Sequence, residues 1–200
     1  MPLLGQEILP NLLIGYWHIQ ETEAALMEAI SSDQVLAPSH QQALHRRQYL
    51  SGRLLTRVLL RGMGLAYGGI EKDTFGRPLL RGHTDWQISL SHSADMVAVA
   101  LSYRRSVGLD IQVFDPKIER VVGRVLSLEE LRWANTPERR CIGWCAKEAL
   151  YKWHGKGGLS FREDIRMDTR DPLPSRAWVR GYELRLGLRR VKEQQVVFCR

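Results

Sequence analysis

No stretch of this sequence is apolar for long enough to cross a membrane. The opening "MPLLGQEILPNLLIGYW" lacks a basic leader and carries Glu7 early, which argues against a secretory signal. Cysteine is scarce. There are three, an odd number, so no disulfide framework is expected. Cys141 and Cys145 lie four apart with no histidine cluster near them, which excludes a zinc site and leaves them as small buried apolar residues. These features together point to a reducing cytoplasm. Low-complexity segments and exact internal repeats are also missing, which sets aside linker-rich and solenoid architectures.

What is present is 200 residues of ordinary globular composition, 44% hydrophobic and 26% charged, enough for one sizeable domain or two small ones. The net charge of +7 is uneven. Residues 1–105 hold ten Lys/Arg against nine Asp/Glu, and residues 106–200 hold nineteen against thirteen. A basic second half suits an acidic protein, a nucleic acid or a phosphate-rich small molecule.

The hydrophobic pattern reads as two halves, each with helix and antiparallel strands. "NLLIGYWHI" reads as a strand, "ETEAALMEAI" as a short helix, and "SHQQALHRRQYLSGRLLTRVLLRGMG" as a long amphipathic helix through Leu44, Leu54, Leu55, Val58 and Leu59. "TDWQISLSHS", "MVAVALS" and "VGLDIQV" read as strands. "SLEELRWAN" opens with a capping box, Ser127 and Glu130, and "PERRCIGWCAKEALYKWHG" is bounded by Pro137 and Gly155. "AWVRGYELRLGL" and "QQVVFC" read as short strands and a closing hairpin. The expectation is an α+β protein of two similar lobes, residues 1–105 and 106–200, with the active-site cleft between them.

Three polar clusters interrupt this apolar pattern. In "GLDIQ", alternation puts Gly108, Asp110 and Gln112 on one face. A carboxylate in an apolar strand needs a partner if buried; the alternative is an edge residue facing water. In "WCAKEALYKWHGKG", Trp144, Glu148 and Lys152 share a helix face, with Lys147 about 100° round. Alone, Glu148–Lys152 could be a solvated pair worth roughly 0.2–0.5 kcal/mol. Combined with Asp110, however, Glu148 offers two hard oxygen ligands of the kind magnesium takes, with lysines left to balance phosphate. "SLSHS" offers hydroxyls and backbone N–H groups to a phosphate, or is a serine-rich turn. "FGRP" is a turn in which Arg77 could reach phosphate.

The order "GRP", "SLSHS", "VGLDIQ", "WCAKEALYKWHGKG", spread from about His45 to Phe161, resembles the 4′-phosphopantetheinyl transferases, specifically the two-lobed monomeric (Sfp-type) group. The resemblance implies two α+β lobes related by a pseudo-two-fold, the first on the nucleotide side and the second carrying the metal and the catalytic helix. It implies transfer of phosphopantetheine from coenzyme A to a serine of an apo acyl or peptidyl carrier protein, as in a holo-[acyl-carrier-protein] synthase, with release of adenosine 3′,5′-bisphosphate. Magnesium, or manganese in its place, would be held by Asp110 and Glu148. Glu148 would also help to deprotonate the serine, and Lys152 would hold the diphosphate. Ser91, His92, Lys147, Arg77 and Pro78 would line the coenzyme A site, Arg77 near the 3′-phosphate. Arg53, Arg46 and Arg47 are further candidates for phosphate or nucleotide contact. Where many relatives have a second acid, this chain has Gln112, which would touch the metal weakly or through water. The expected enzyme is a cytoplasmic monomer in fatty-acid or secondary-metabolite biosynthesis, with no nucleic-acid or membrane partner. Two other readings stand beside it: a coenzyme A-binding scaffold without activity, and a basic nucleic-acid module using Trp133, Trp144 and Trp153 beside arginines.

Overall fold

The computed structural model describes residues 3–30 and 42–200. They fall into two compact units, Met1–Arg105 and Ser106–Arg200. Both units are α+β, with antiparallel strands throughout and helices packed on them.

In the first unit the strands are β1 (Leu3–Leu9), β2 (Leu12–His18), β3 (Ile70–Lys72), β4 (Pro78–Leu80), β5 (Trp86–Ser93) and β6 (Met96–Tyr103). They form one sheet in the order β1-β2-β6-β5-β4-β3. Helices α1 (Glu23–Ile30) and α2 (Ala43–Gly62) complete the unit. Of the expected stripe of α2, Leu54, Leu55 and Leu59, joined by Leu50, are buried with Leu13 and Trp17 of β2 and Val97, Val99 and Leu101 of β6, whereas Val58 and Leu44 are only partly buried. Each such leucine contributes roughly 1.5–3 kcal/mol of burial. The first residues expected in this helix, 39–41, lie outside the described residues. "FGRP" is the tight turn of the β3–β4 hairpin. Asp73 holds it through its carboxylate, which accepts from Phe75 N at 2.8 Å and Arg77 N at 2.9 Å.

In the second unit β7 (Gly108–Val113), β8 (Ile165–Met167), β9 (Arg176–Val179), β10 (Tyr182–Val191) and β11 (Gln194–Cys199) form a sheet in the order β7-β11-β10-β9-β8. Helices α3 (Lys117–Val125), α4 (Leu128–Trp133) and α5 (Pro137–His154) accompany it. The expected signals shape two of these helices. Ser127 and Glu130 make both bonds of the capping box at α4. At α5, Thr136 accepts from Arg139 N, Pro137 opens the first turn, and Gly155 ends the helix at φ 68. The core is the buried face of α5, with Cys141, Ile142, Cys145, Ala146, Ala149 and Leu150 against β11 and β9. All three cysteines are free and buried. Burial pushes the Cys141 thiol up to about 12, so it stays protonated. Strand β1 and helix α3 are further elements, beyond those expected from the sequence.

Candidate active site

The polar residues of the second unit meet along the line where β7 crosses α5. The two elements touch backbone to backbone. A Cβ added at Gly108 would lie 1.8 Å from the Ala149 carbonyl oxygen and 2.8 Å from Trp153 N, so no other residue fits there. Further along, the Cys141 thiol donates to the Gln112 carbonyl at 3.6 Å, and the Cys199 thiol to the Ala149 carbonyl at 3.4 Å. Small residues on α5 and a glycine on β7 thus bring the Asp110 face of the strand directly onto the helix.

This contact determines where the charges go. Asp110 is buried at 5% exposure and accepts from the Lys152 ammonium at 2.7 Å. Lys152 also donates to the Leu109 carbonyl at 3.1 Å. Glu148, one turn before Lys152, is partly buried. Burial raises its pKa above the ordinary carboxylate value, the Asp110 charge raises it further, and Lys152 opposes both. Asp110, Glu148 and Lys152 therefore sense one another electrostatically: two carboxylates and one ammonium at a partly enclosed site. Gln112 shares the strand face, and its side-chain amide donates to the Val113 carbonyl at 3.0 Å.

Lys147 does something different from the phosphate contact expected of it. Its side chain has no exposure. Its ammonium makes a 2.8 Å ion pair with Glu130 and donates to the carbonyls of Phe161 at 2.7 Å and Ile165 at 2.5 Å. An ammonium has three N–H donors, and three protein oxygens take them. Burial lowers the Lys147 pKa while Glu130 pulls it back up. Glu130 is a hub. It accepts from Ser127 N at 2.8 Å, from Met167 N at 2.9 Å and from Lys147, tying α4, β8 and α5 together. A zero-exposure ammonium with every donor spent cannot meet a ligand, so Lys147 belongs to the scaffold of the helix that carries Glu148.

The first unit holds a cavity of about 390 Å³, with a wall formed by α2, the β3–β4 hairpin and β5. That volume lies within the ~300–1,000 Å³ range of small-molecule sites. Of the expected coenzyme A contacts, Arg53, Pro78, Ser91 and His92 line it. The Arg53 guanidinium stacks 3.4 Å from the Tyr49 ring centroid, and burial lowers its pKa. His92 faces His45 across 6.3 Å between ring centroids. Three expected residues lie off this wall. Arg46 is paired with Glu23 of α1 at 2.9 Å. Arg47 is half-buried on α2. The Arg77 guanidinium donates to the Gln87 side-chain oxygen. His45, Tyr49 and Lys72 line the cavity without having been singled out in the sequence. Their signal, two turns and one turn before Arg53 for His45 and Tyr49 and one residue before the Asp73 turn for Lys72, is visible only once the cavity is known.

Among the described residues no group of three or more His, Cys, Asp or Glu side chains could hold a metal ion, and no helix is long and apolar enough to cross a membrane.

Comparison with known proteins points to the same family. Residues 106–195 match the profile of the 4′-phosphopantetheinyl transferase superfamily. The chain is 35% identical over 123 residues to the 4′-phosphopantetheinyl transferase AcpT of Salmonella typhi, covering 57% of this chain and 62% of that protein. It is 28% identical over 143 residues to the 4′-phosphopantetheinyl transferase HetI of Nostoc sp., covering 64% of this chain and 60% of that one. The chain thus spans about three fifths of the length of the curated relatives it matches. The matched profile covers β7, α3, α4, α5 and most of the strands after them, including Asp110, Glu148 and Lys152. Over this segment the chain is similar to the 4′-phosphopantetheinyl transferase superfamily.

Proposed function

We propose that this protein is a 4′-phosphopantetheinyl transferase that takes coenzyme A as donor and a serine of an apo acyl or peptidyl carrier protein as acceptor. The observation that carries the reading is the Asp110–Glu148–Lys152 constellation at the β7–α5 contact, inside the matched segment.

The donor set fits a hard divalent cation. Burial first and the Asp110 charge second raise the Glu148 pKa, a cost that a bound cation would relieve. Asp110 and Glu148 would hold magnesium, or manganese, and Gln112 would touch it weakly or through water. Magnesium, when bound, supplies positive charge to the diphosphate as its bridging bond breaks.

The chain's own residues supply the rest. Lys152 orients Asp110 until a diphosphate arrives, and then shares its charge with that diphosphate. Glu148 takes the proton of the attacking serine, directly or through a water. The serine oxygen bonds to the phosphorus that bears the pantetheine arm. The bond from that phosphorus to the bridging oxygen breaks, and its electron pair leaves on adenosine 3′,5′-bisphosphate. The nucleotide end takes the cavity of the first unit, against Arg53, Ser91, His92 and Pro78, while Arg77 stays off that wall on Gln87. Arg46, paired with Glu23, and Arg47 lie near the start of the same helix. The excess of nineteen basic over thirteen acidic residues in 106–200 suits an acidic carrier protein. Three free cysteines suit a reducing cytoplasm, where the protein would act as a monomer.

The test is calorimetric titration of the full chain with coenzyme A, with and without magnesium. Binding that magnesium strengthens in the parent, and no longer strengthens in Asp110→Ala, is the expected result. A parent protein that ignores coenzyme A under both conditions refutes the reading.

A further inference from the structure

The three cysteines have no part in the mechanism above, yet all of them sit where α5 meets its sheet. On α5, Cys141, Cys145, Glu148 and Lys152 fall within about 60° of one another, so two thiols continue the charged stripe toward the helix start. Each thiol donates to a backbone carbonyl across the contact: Cys141 to Gln112 at 3.6 Å, Cys145 to Gln195 at 3.6 Å and Cys199 to Ala149 at 3.4 Å. Two points fix how α5 lies along β7. Cys141 stands at Gln112, and Ala149 stands at Gly108, where an added Cβ would meet its carbonyl. From Cys141 to Ala149 the helix rises about 12 Å, and from Gly108 to Gln112 the strand rises about 13 Å. The two elements therefore run antiparallel and in step, and their midpoints face each other: Cys145 lies opposite Asp110. Two observations agree. Gln195, which takes the Cys145 thiol, stands on β11 two residues before Val197, the register partner of Asp110. Burial first, and then the Asp110 charge, hold the Cys145 thiol well above its ordinary value, and a hydrogen bond between thiol and carboxylate adds to this.

Resting on the transferase reading above, we infer that Cys145 is a positioning residue for transfer: a spacer on α5 that sets the height of the Asp110 carboxylate over the helix, and so its distance from Glu148. The Cys145 side chain is fully enclosed. A thiol is a weak donor, so it seats the carboxylate and leaves its lone pairs to Lys152, which Asp110 meets at 2.7 Å, and to a cation. Size matters in both directions. A methyl in place of the thiol leaves a void into which the strand settles, and a branched side chain lifts the strand from a helix that it already touches at Gly108. Helical side chains tilt toward the helix N-terminus, so Glu148 and Lys152 lean back toward the level of Cys145 and Asp110. A displacement of about 1 Å at such a site is enough to lower the rate about a hundredfold.

The experiment compares the full-length parent with Cys145→Ser, Cys145→Ala and Cys145→Thr. Transfer to an apo carrier protein is followed at saturating magnesium, and coenzyme A binding is followed by calorimetry over a magnesium series. Cys145→Ser keeps the donor and nearly the size, and its kcat stays within about threefold of the parent. Cys145→Ala removes the spacer and Cys145→Thr enlarges it. Both lower kcat roughly tenfold to a hundredfold, with KM for coenzyme A changed less than about twofold. Both also need about fivefold or more magnesium before it strengthens coenzyme A binding. Urea unfolding verifies that each variant is folded under assay conditions. A packing role alone would lower the urea midpoint and leave kcat of the folded protein intact. If Cys145→Ala does not fold, Cys145→Thr against Cys145→Ser decides. The inference is overturned if a folded Cys145→Ala or Cys145→Thr keeps the parent's kcat and magnesium requirement, if the loss appears in KM instead of kcat, or if Cys145→Ser falls as far as the others. A parent that neither transfers nor binds coenzyme A overturns the transferase reading, and the inference falls with it.

Discussion

Replacing Lys147 with methionine keeps the length of the side chain and removes its charge. In the structure this leaves the Glu130 carboxylate with two backbone donors, Ser127 N and Met167 N, and no cation, and it strips the Phe161 and Ile165 carbonyls of an ammonium donor. Both partners are enclosed, at 0% and 4% side-chain exposure. Removing one member of such a pair costs about 3–5 kcal/mol, because the other charge stays buried without compensation. The assay is urea unfolding of the full chain, followed by circular dichroism. Glu130→Gln alone should cost a similar amount. The double variant Glu130→Gln, Lys147→Met should cost clearly less than the two singles added together, since no buried charge then lacks a partner. A contact with a phosphate would behave in the opposite way: stability nearly unchanged and coenzyme A affinity down about tenfold. If Lys147→Met loses less than about 1 kcal/mol and weakens coenzyme A selectively, the scaffold role drawn from its burial is wrong.

Gly108→Ala must push β7 and α5 apart, because its Cβ would fall 1.8 Å from a backbone oxygen; it should destabilise by about 1–3 kcal/mol and lower transfer about a hundredfold by misplacing Asp110 against Glu148, measured by urea unfolding and turnover. Asp168 is held well below its ordinary value of 3.8 by Arg170 first and by Arg176. Its stabilisation is present above that ordinary value and is lost as pH falls through the lowered one, so below about pH 4 the urea midpoint of the parent should fall more steeply than that of Asp168→Asn. Gln112→Ala should cost far less turnover than Asp110→Ala at saturating magnesium, because the Gln112 amide already donates to Val113 and an amide oxygen is a weaker ligand for a hard cation; comparable losses would make Gln112 a full ligand.

Local chemistry made much of this legible in the sequence. The alternation of "GLDIQ" gives one face to Gly108, Asp110 and Gln112, and the spacing of Glu148 and Lys152 gives one face of α5. Helix ends were readable at Ser127, Pro137 and Gly155 because caps are local devices. What escaped depends on contacts distant in sequence. The capping glutamate Glu130 also receives Lys147 and Met167 N, and nothing in "SLEE" or "AKEA" announces that meeting. Lys147 beside Glu148 therefore reads as a ligand-facing lysine, although the helix turns it into the core. Arg77 stands out because it sits in a turn motif. Lys72, five residues earlier, is the basic hairpin residue that lines the cavity, a matter of strand register. Strand β1 alternates between half-buried and exposed positions, so its sequence lacks the apolar run that marks β2 or β6.

The central claim is group transfer carried by Asp110 and Glu148, and intact-protein mass spectrometry tests it most directly. Apo acyl and peptidyl carrier proteins are incubated with the full chain, coenzyme A and magnesium. The account predicts one added phosphopantetheine on the carrier serine, lost in Asp110→Ala and Glu148→Ala while both variants remain folded by circular dichroism. Carrier proteins that stay apo with the parent protein, although it binds coenzyme A, or a Glu148→Ala variant that turns over as the parent does, would contradict it.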